Sequence, residues 1–399
     1  METMTPKERI DAVIKHQAVD RTPFTVVDGG AWIAKTEGVT YRELYSRPDS
    51  GASSVVDYLN KIDSDMISAV SGVFTACLNA FGCPISIDKI GGAIDTGSVF
   101  KDPINEIPQL NRETIRDTLL ANDFVQKMIN QTRHVKVLVG NQKYIFGDIA
   151  GPFTMAAVMV GTSDFIMLML EEPEIVHELL DFTVCVSAEM FTLLHENGCD
   201  IAFPAEPVGS GSLISQEMFE EWVIPSLKKL KEKLPFYKYF YAHVCGASGN
   251  RVAALRECGV NVFSVDYLVD FEKAVEAAGE KMVMMGNINP AGILNRYIND
   301  EEYGRRYVEY HSTKKSKRQI QYELQRKGLS KEAVTDILEE HPVDEEAQIR
   351  DYIRRKRLEP EAMTLEERRK AMAALGRKGF SFETVNRVFG SKYGDDGAF

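Results

Sequence analysis

The stretch KYFYAHVCGASGN, Lys238 to Asn250, decides how the rest of the chain is read. It opens with the aromatic and β-branched residues of a buried strand and breaks into a loop at Gly-Ala-Ser-Gly. His243 and Cys245 stand two apart, a spacing that turns both side chains to one face of a strand. An imidazole and a thiol side by side at a strand mouth make two ligands of a tetrahedral zinc. The plain alternative is packing, because free cysteine is among the most buried residue types. The neighbouring stretches favour the metal.

The chain has 399 residues, 44% of them apolar and 27% charged, the balance of a soluble globular protein. That length suits two or three domains, or an α/β barrel of about 250 residues with something added. No apolar run reaches the roughly eighteen residues of a membrane span, and no leader is seen, so neither insertion nor export is expected. The six cysteines, Cys77, Cys83, Cys185, Cys199, Cys245 and Cys258, form no Cys-x-x-Cys pair. Reduced thiols in the cytoplasm are the expectation. From His311 onward the chain holds 19 Lys and Arg against 16 Asp and Glu, whereas the first 310 residues hold 28 against 43. The acidic body should repel polyanions, and the tail carries basic runs.

In order along the chain, MTPKERIDAVIKHQ reads as a short helix capped by Thr5 with Pro6 at its first position. FTVVDGG from Phe24 and SDMISAVSG from Ser64 read as strands, and a third ends near Asp148. A long helix follows over roughly 173–198. CDIAFPAEPVGSG is a fourth strand, leaving Glu206 at its end, and Ser215 opens the next helix. KYFYAHVCG, VNVFSVDYLVD and KMVMMGNINPAG complete seven strands, with helices between. Strands alternating with helices predict a parallel sheet, and seven such units in 295 residues predict a TIM-type (β/α) barrel without its last strand. Asp28, Asp148, Glu206, His243, Cys245, Asp266 and Asn287 all fall where strands end, the side on which such barrels build their sites. Taken singly, each acid is a loop cap or a solvated carboxylate.

Five ordered stretches resemble the uroporphyrinogen decarboxylase superfamily, and within it the methyltransferases that act on corrinoid proteins. They are MTPKERIDAVIKHQAVDRTPF, FGDIAGPFTMAAVMVG, GSGSLISQEMFEEWVIPSLKKL, AHVCG and MGNINP, together spanning about residues 1–295. The resemblance implies zinc on His243 and Cys245, an acceptor thiol or folate, and a methylated corrinoid carried by a partner protein. It implies Glu206 as a further oxygen ligand or base, with Asp28, Asp148, Asp266 and Asn287 positioning substrate. Decarboxylation of a porphyrinogen is the runner-up activity, but the Arg-Gln-Ala-Gly-Arg-type segment that grips substrate carboxylates is absent. The chain also departs from the methyltransferase pattern, whose third ligand is a Cys near the eighth strand. No cysteine follows Cys258.

Beyond residue 295 the chain is rich in Lys, Arg and Glu and repeats itself. LQRKGLSKEAVTDIL from Leu324 matches LGRKGFSFETVNRVF from Leu375 at an offset of 51 residues. Such a period predicts stacked helical units, with Gly328 and Gly379 ending one helix and Ser330 and Ser381 capping the next. The stretches YINDEEYGRRYVEY, SKRQIQYELQRKGLSKEAVTDILEE, DEEAQIRDYIRRKR and ERRKAMAALGRKGFSFETVNRVF resemble RecX, a regulator of the RecA recombinase built of three-helix repeats. That resemblance implies a domain over 296–399 that binds RecA filaments, which would then be the function if the barrel is inactive. Lys314, Lys315, Lys317, Arg318, Arg354, Arg355, Lys356 and Arg357 are its candidate contacts to filament or phosphate. The plain reading of such runs is a solvated helix face.

Overall fold

A computed structural model of the chain describes residues 3–27, 30–69, 75–87, 92–94, 98–287, 300–313, 315–326, 329–356 and 358–390. It divides into two compact units, Met1–Ile288 and Asn289–Phe399. In the first unit the described strands are β1 (Met66–Ser68), β2 (Ile85–Ile87), β3 (Gly92–Ile94), β4 (Tyr144–Ala150), β5 (Ile201–Ala205), β6 (Tyr239–Val244), β7 (Val262–Val265) and β8 (Val283–Met285). Six of them form one wholly parallel sheet in the order β1-β4-β5-β6-β7-β8, while β2 and β3 make a separate antiparallel pair. This is an incomplete TIM-type barrel, with helices such as Pro152–Val160 and Pro173–Glu196 in the crossovers.

The period of two decides what each side of the sheet buries. Ile145, Ile149, Ala202, Phe240, Ala242, Val244 and Phe263 join the larger core shared with the helices. The alternate residues Met66, Tyr144, Phe146, Ile201, Phe203, Tyr239, Tyr241 and Val262 form a second core on the inner side, joined by Ile10. Continuing those inner positions along each strand gives Ser68, Asp148, His243 and Ser264. The inner side therefore runs from aromatic at the strand starts to polar at the strand ends.

The helix Pro6–Ile14, with its Thr5 capping box, contributes to the aromatic end. Its Asp11 accepts hydrogen bonds from the hydroxyls of Tyr144 and Tyr239, each at 2.7 Å, and from Lys238 Nζ at 2.8 Å. Arg9, fully buried, pairs with Asp20 at 2.7 Å and with Asp65, just before β1, at 2.5 Å. These bonds lash the helix to the starts of three strands.

Among the described residues one expected strand does not form. FTVVDGG runs beside β1, and Phe24 O accepts from the backbone N–H of Asp65 at 2.7 Å, but the ladder stops there. There the N–H of Phe24 donates to the side chain of Asp65, at 2.7 Å, rather than to a strand carbonyl. The described strands of the sheet thus number six, not seven. Between Thr22–Val27 and β8 lies a cavity of about 750 Å³ lined by Phe24, Met66, Tyr241, Val262 and Met285 among others.

The second unit contains the helices Asp300–His311, Lys317–Arg326, Lys331–Glu340, Glu345–Lys356, Leu365–Arg377 and Phe382–Phe389. They bury two small cores, one around Ile320, Leu324, Val334 and Ile337, the other around Ile349, Leu375, Val385 and Phe389. Leu324 and Val334 recur as Leu375 and Val385 at the 51-residue offset, and both pairs are buried. Ser330 and Ser381 each cap the following helix, accepting from the N–H of Ala333 at 3.1 Å and of Thr384 at 3.0 Å. Gly379 adopts φ +85°, a conformation glycine tolerates best, whereas Gly328 lies outside the described residues. Among the described residues no single helix is long and apolar enough to cross a membrane.

Candidate functional site

The site stands at the polar ends of the inner positions. His243 is the last inward residue of β6, and Cys245 follows it by one pleat. Nε2 of His243 lies 3.1 Å from Sγ of Cys245. Nδ1 lies 3.0 Å from the carbonyl oxygen of Ser264 and 3.2 Å from its hydroxyl. A carbonyl only accepts, so Nδ1 carries the proton and the lone pair of Nε2 faces the sulfur. The register supplies this contact, since Ser264 is the β7 partner of His243 in the ladder. Burial holds the imidazole below its ordinary pKa, against the pull of Ser264 and Asp266. Burial, then Asp266, push the Cys245 thiol up.

The acids do different things. Asp148 is buried and accepts from Ser68 Oγ at 2.9 Å. Asp266 accepts from the N–H of Leu268 at 3.0 Å, and Asn287 donates to the carbonyl of Val269 at 2.8 Å, so both hold the loop after β7. Asp28 lies outside the described residues. Glu206 is fully buried at the end of β5. Its two oxygens accept from the N–H groups of Phe153 at 3.1 Å and Thr154 at 2.7 Å. The helix Pro152–Val160 has glycine at its N-cap and no side-chain cap of its own, so Glu206 caps it from the next strand. The fit is close: a Cβ at Gly151 would stand 2.2 Å from Glu206 Oε1. Burial pushes the carboxyl up to about 7, although the bonds from Thr154 and Phe153 pull it down.

Two contributors escaped the sequence reading. Ser264 is one small residue in an apolar strand, and only the register with β6 reveals its task. Arg251, fully buried after the β6 loop, donates to Gln216 Oε1 at 2.6 Å and to the carbonyl of Ile214 at 2.7 Å. Its guanidinium lies 4.8 Å from the centre of the Phe219 ring. It ties the loop after β5 to the loop that follows Cys245. There Gly246, at φ +67°, leaves room for Ser210, whose Oγ would be 2.5 Å from any Cβ.

In the helical unit the basic candidates are scattered. Lys315 is engaged, with Glu323 Oε2 at 2.6 Å and the Tyr307 hydroxyl at 3.2 Å. Lys317 and Arg318 are exposed at the start of Lys317–Arg326. Arg354, Arg355 and Lys356 are exposed on the last turn of Glu345–Lys356, and both arginines pair with Asp351. Lys314 and Arg357 lie outside the described residues.

Comparison with protein families matches residues 5–316 to Uroporphyrinogen decarboxylase (URO-D). The chain belongs to the uroporphyrinogen decarboxylase family. Residues 299–338 and 344–389 match the second and third three-helix domains of RecX, so the family barrel is followed by a RecX-like tail. Among curated relatives, the Methylcobamide:CoM methyltransferase MtbA of Methanosarcina acetivorans is 27% identical over 297 residues, 74% of this chain and 85% of the relative. The Uroporphyrinogen decarboxylase of Myxococcus xanthus is 21% identical over 306 residues, 74% of this chain and 84% of that one. Among solved structures, a methyltransferase from Methanosarcina mazei superimposes with a TM-score of 0.64 at 19% identity, covering 76% of this chain and 89% of that one. At that identity the likeness shows the fold, an incomplete version of which this member of the uroporphyrinogen decarboxylase family carries.

Proposed function

We propose that the first unit is a zinc-dependent methyltransferase moving a methyl group between a corrinoid protein and a thiol or folate acceptor. One observation carries this reading: the Nε2 of His243 and the Sγ of Cys245 converge at 3.1 Å on the strand-end side of the sheet. Nitrogen and thiolate sulfur are the donors zinc takes, and a ring whose other nitrogen bonds a carbonyl is oriented as metal-bound histidines are. The two donors suit the ion as part of a ligand set, which no third His, Cys, Asp or Glu completes among the described residues. A zinc held there would supply a Lewis acid that keeps an acceptor sulfur as thiolate at neutral pH.

The chain's own residues do the rest. Ser264 fixes the tautomer of His243. Asp266 and Asn287 shape the loop after β7, and Asp148 with Ser68 forms the polar inner face toward which a substrate would lie. Glu206 holds the first turn of the helix Pro152–Val160 at the rim. The relatives named for a methylcobamide substrate support the donor class, with the methylated corrinoid brought by a partner protein.

The test is transfer from methylcobalamin to a thiol by the reduced full chain supplied with Zn²⁺, read as thioether by mass spectrometry. Product that disappears in Cys245→Ser supports the proposal. No product with thiols or with a folate overturns it. Conversion of uroporphyrinogen by the same preparation would move the assignment to decarboxylation.

A second reading rests on the two RecX matches. The helical unit would modulate RecA filaments, through Lys317, Arg318, Arg354, Arg355 and Lys356. Binding of the full chain to RecA–DNA filaments that weakens steeply with salt supports it; binding indifferent to Arg354→Ala and Arg355→Ala together overturns this surface.

A further inference from the structure

Three tyrosines stand in the inner core of the sheet, and Asp11 serves two of them, accepting from the hydroxyls of Tyr144 and Tyr239 at 2.7 Å each. Tyr241 is placed differently. It is 2% exposed, and the acceptor for its hydroxyl among the described residues is the thioether sulfur of Met66, 3.8 Å away. A thioether is a weak acceptor, whereas a buried phenol ordinarily finds a full partner. Tyr241 and Met66 both line the cavity of about 750 Å³ beside β8. That cavity is walled on several sides, by Val13 and Ile14 of the first helix, Phe24 and Val27 ahead of β1, Val262 of β7 and Met285 of β8. Its polar lining is sparse and partly spent: Thr25 donates to the carbonyl of Met66 at 3.2 Å, and Asn287 to that of Val269 at 2.8 Å. The volume lies in the range of small-molecule sites, roughly 300–1,000 Å³. Left empty, such walls forgo contacts that a bound molecule would restore, and Met66, Met284 and Met285 let them adapt to its shape.

We propose that this cavity binds a neutral, largely apolar small molecule through one oxygen that accepts a hydrogen bond from Tyr241. A ketone, ester or ether oxygen on an aliphatic or aromatic body has this chemistry. The oxygen replaces a poor acceptor with a good one, and the body fills the apolar walls. A carboxylate on the same body is disfavoured, because it would give up its water for a lining of methionine, valine and phenylalanine side chains. The site uses no atom of His243 or Cys245, so it goes beyond the methyl-transfer reading and does not depend on it.

The experiment displaces the neutral fluorescent probe Nile red from the full chain with three competitors of one shape: methyl naphthyl ketone, ethylnaphthalene and naphthoate. Nile red should bind saturably. The ketone should displace it about five-fold more tightly than the hydrocarbon, the worth of one hydrogen bond, and about ten-fold or more tightly than naphthoate. Tyr241→Phe keeps the ring, so it should erase the advantage of the ketone and leave the affinity of the hydrocarbon unchanged. Phe24→Asp charges the wall at a side chain that is 41% exposed and should weaken both neutral competitors about ten-fold or more. Leu170→Asp, at an exposed leucine of the helix Thr162–Glu171, should change neither, and circular dichroism checks that each variant folds. Probe binding that does not saturate, equal displacement by ketone and hydrocarbon, or an advantage that survives Tyr241→Phe would overturn the proposal. So would equal weakening by Leu170→Asp and Phe24→Asp, which marks adsorption to exposed apolar side chains at large.

Discussion

The carbonyl oxygen of Ser264 lies 3.0 Å from Nδ1 of His243 and so determines which ring nitrogen faces Cys245. Because the decisive acceptor is backbone, the side chain of Ser264 is the lesser part. If His243 and Cys245 hold zinc as proposed, Ser264→Ala is expected to weaken Zn²⁺ binding by less than about ten-fold. His243→Ala should lose a hundred-fold or more, beyond the usual 10–100-fold range for residues that support a ligand. Titration calorimetry of the two variants side by side checks the ordering.

Glu206 makes the stability of the barrel depend on pH. Its folded pKa, about 7, exceeds the ordinary 4.5, so the folded chain holds the proton more tightly than the unfolded chain. The contribution is fully present below 4.5 and is lost as pH rises through about 7. At 1.36 kcal/mol per unit it amounts to roughly 3 kcal/mol. Urea unfolding of the native chain between these limits should show the decline, and Glu206→Gln should flatten it.

Asp65 is buried and serves Arg9, Arg21 and the N–H of Phe24 together. Asp65→Ala removes from Arg9, itself fully buried, one of the two carboxylates it pairs with among the described residues, Asp20 being the other. A loss of about 3–5 kcal/mol is expected. Chemical denaturation followed by tyrosine and tryptophan fluorescence measures it.

The repeated helical units predict equal penalties at equivalent positions. Leu324→Ala and Leu375→Ala each empty a fully buried site and should each cost about 2–5 kcal/mol. Ser330→Ala and Ser381→Ala remove matching caps and should each cost about 1 kcal/mol. Amide exchange that reports each unit separately tests the pairing.

The alternation along each strand was readable in the chain. It put His243 and Cys245 on one face, and it separates Tyr239 and Tyr241 from Phe240 and Ala242. The caps at Thr5, Ser215, Ser330 and Ser381 were equally local and equally legible. What escaped reading depends on partners far away in the chain. Phe24 looks like a strand residue, but its N–H goes to the side chain of Asp65, 41 positions on. Glu206 sits at a strand end, where composition suggests chemistry, yet its oxygens turn to the turn at Gly151, a direction set by how one crossover packs on the next. Ser264 carries no signal at all until β7 lies beside β6.

The strand β8 is three residues long, and among the described residues only β7 pairs with it. A sheet that does not close offers its rim to any extended peptide that drifts past, and long, flat rims seed clumping. Among the described residues this rim is three residues long, so it offers few backbone groups to a stray chain. The shortness of β8 thus limits what an added strand could pair with, and lengthening it by a few apolar residues would favour self-association.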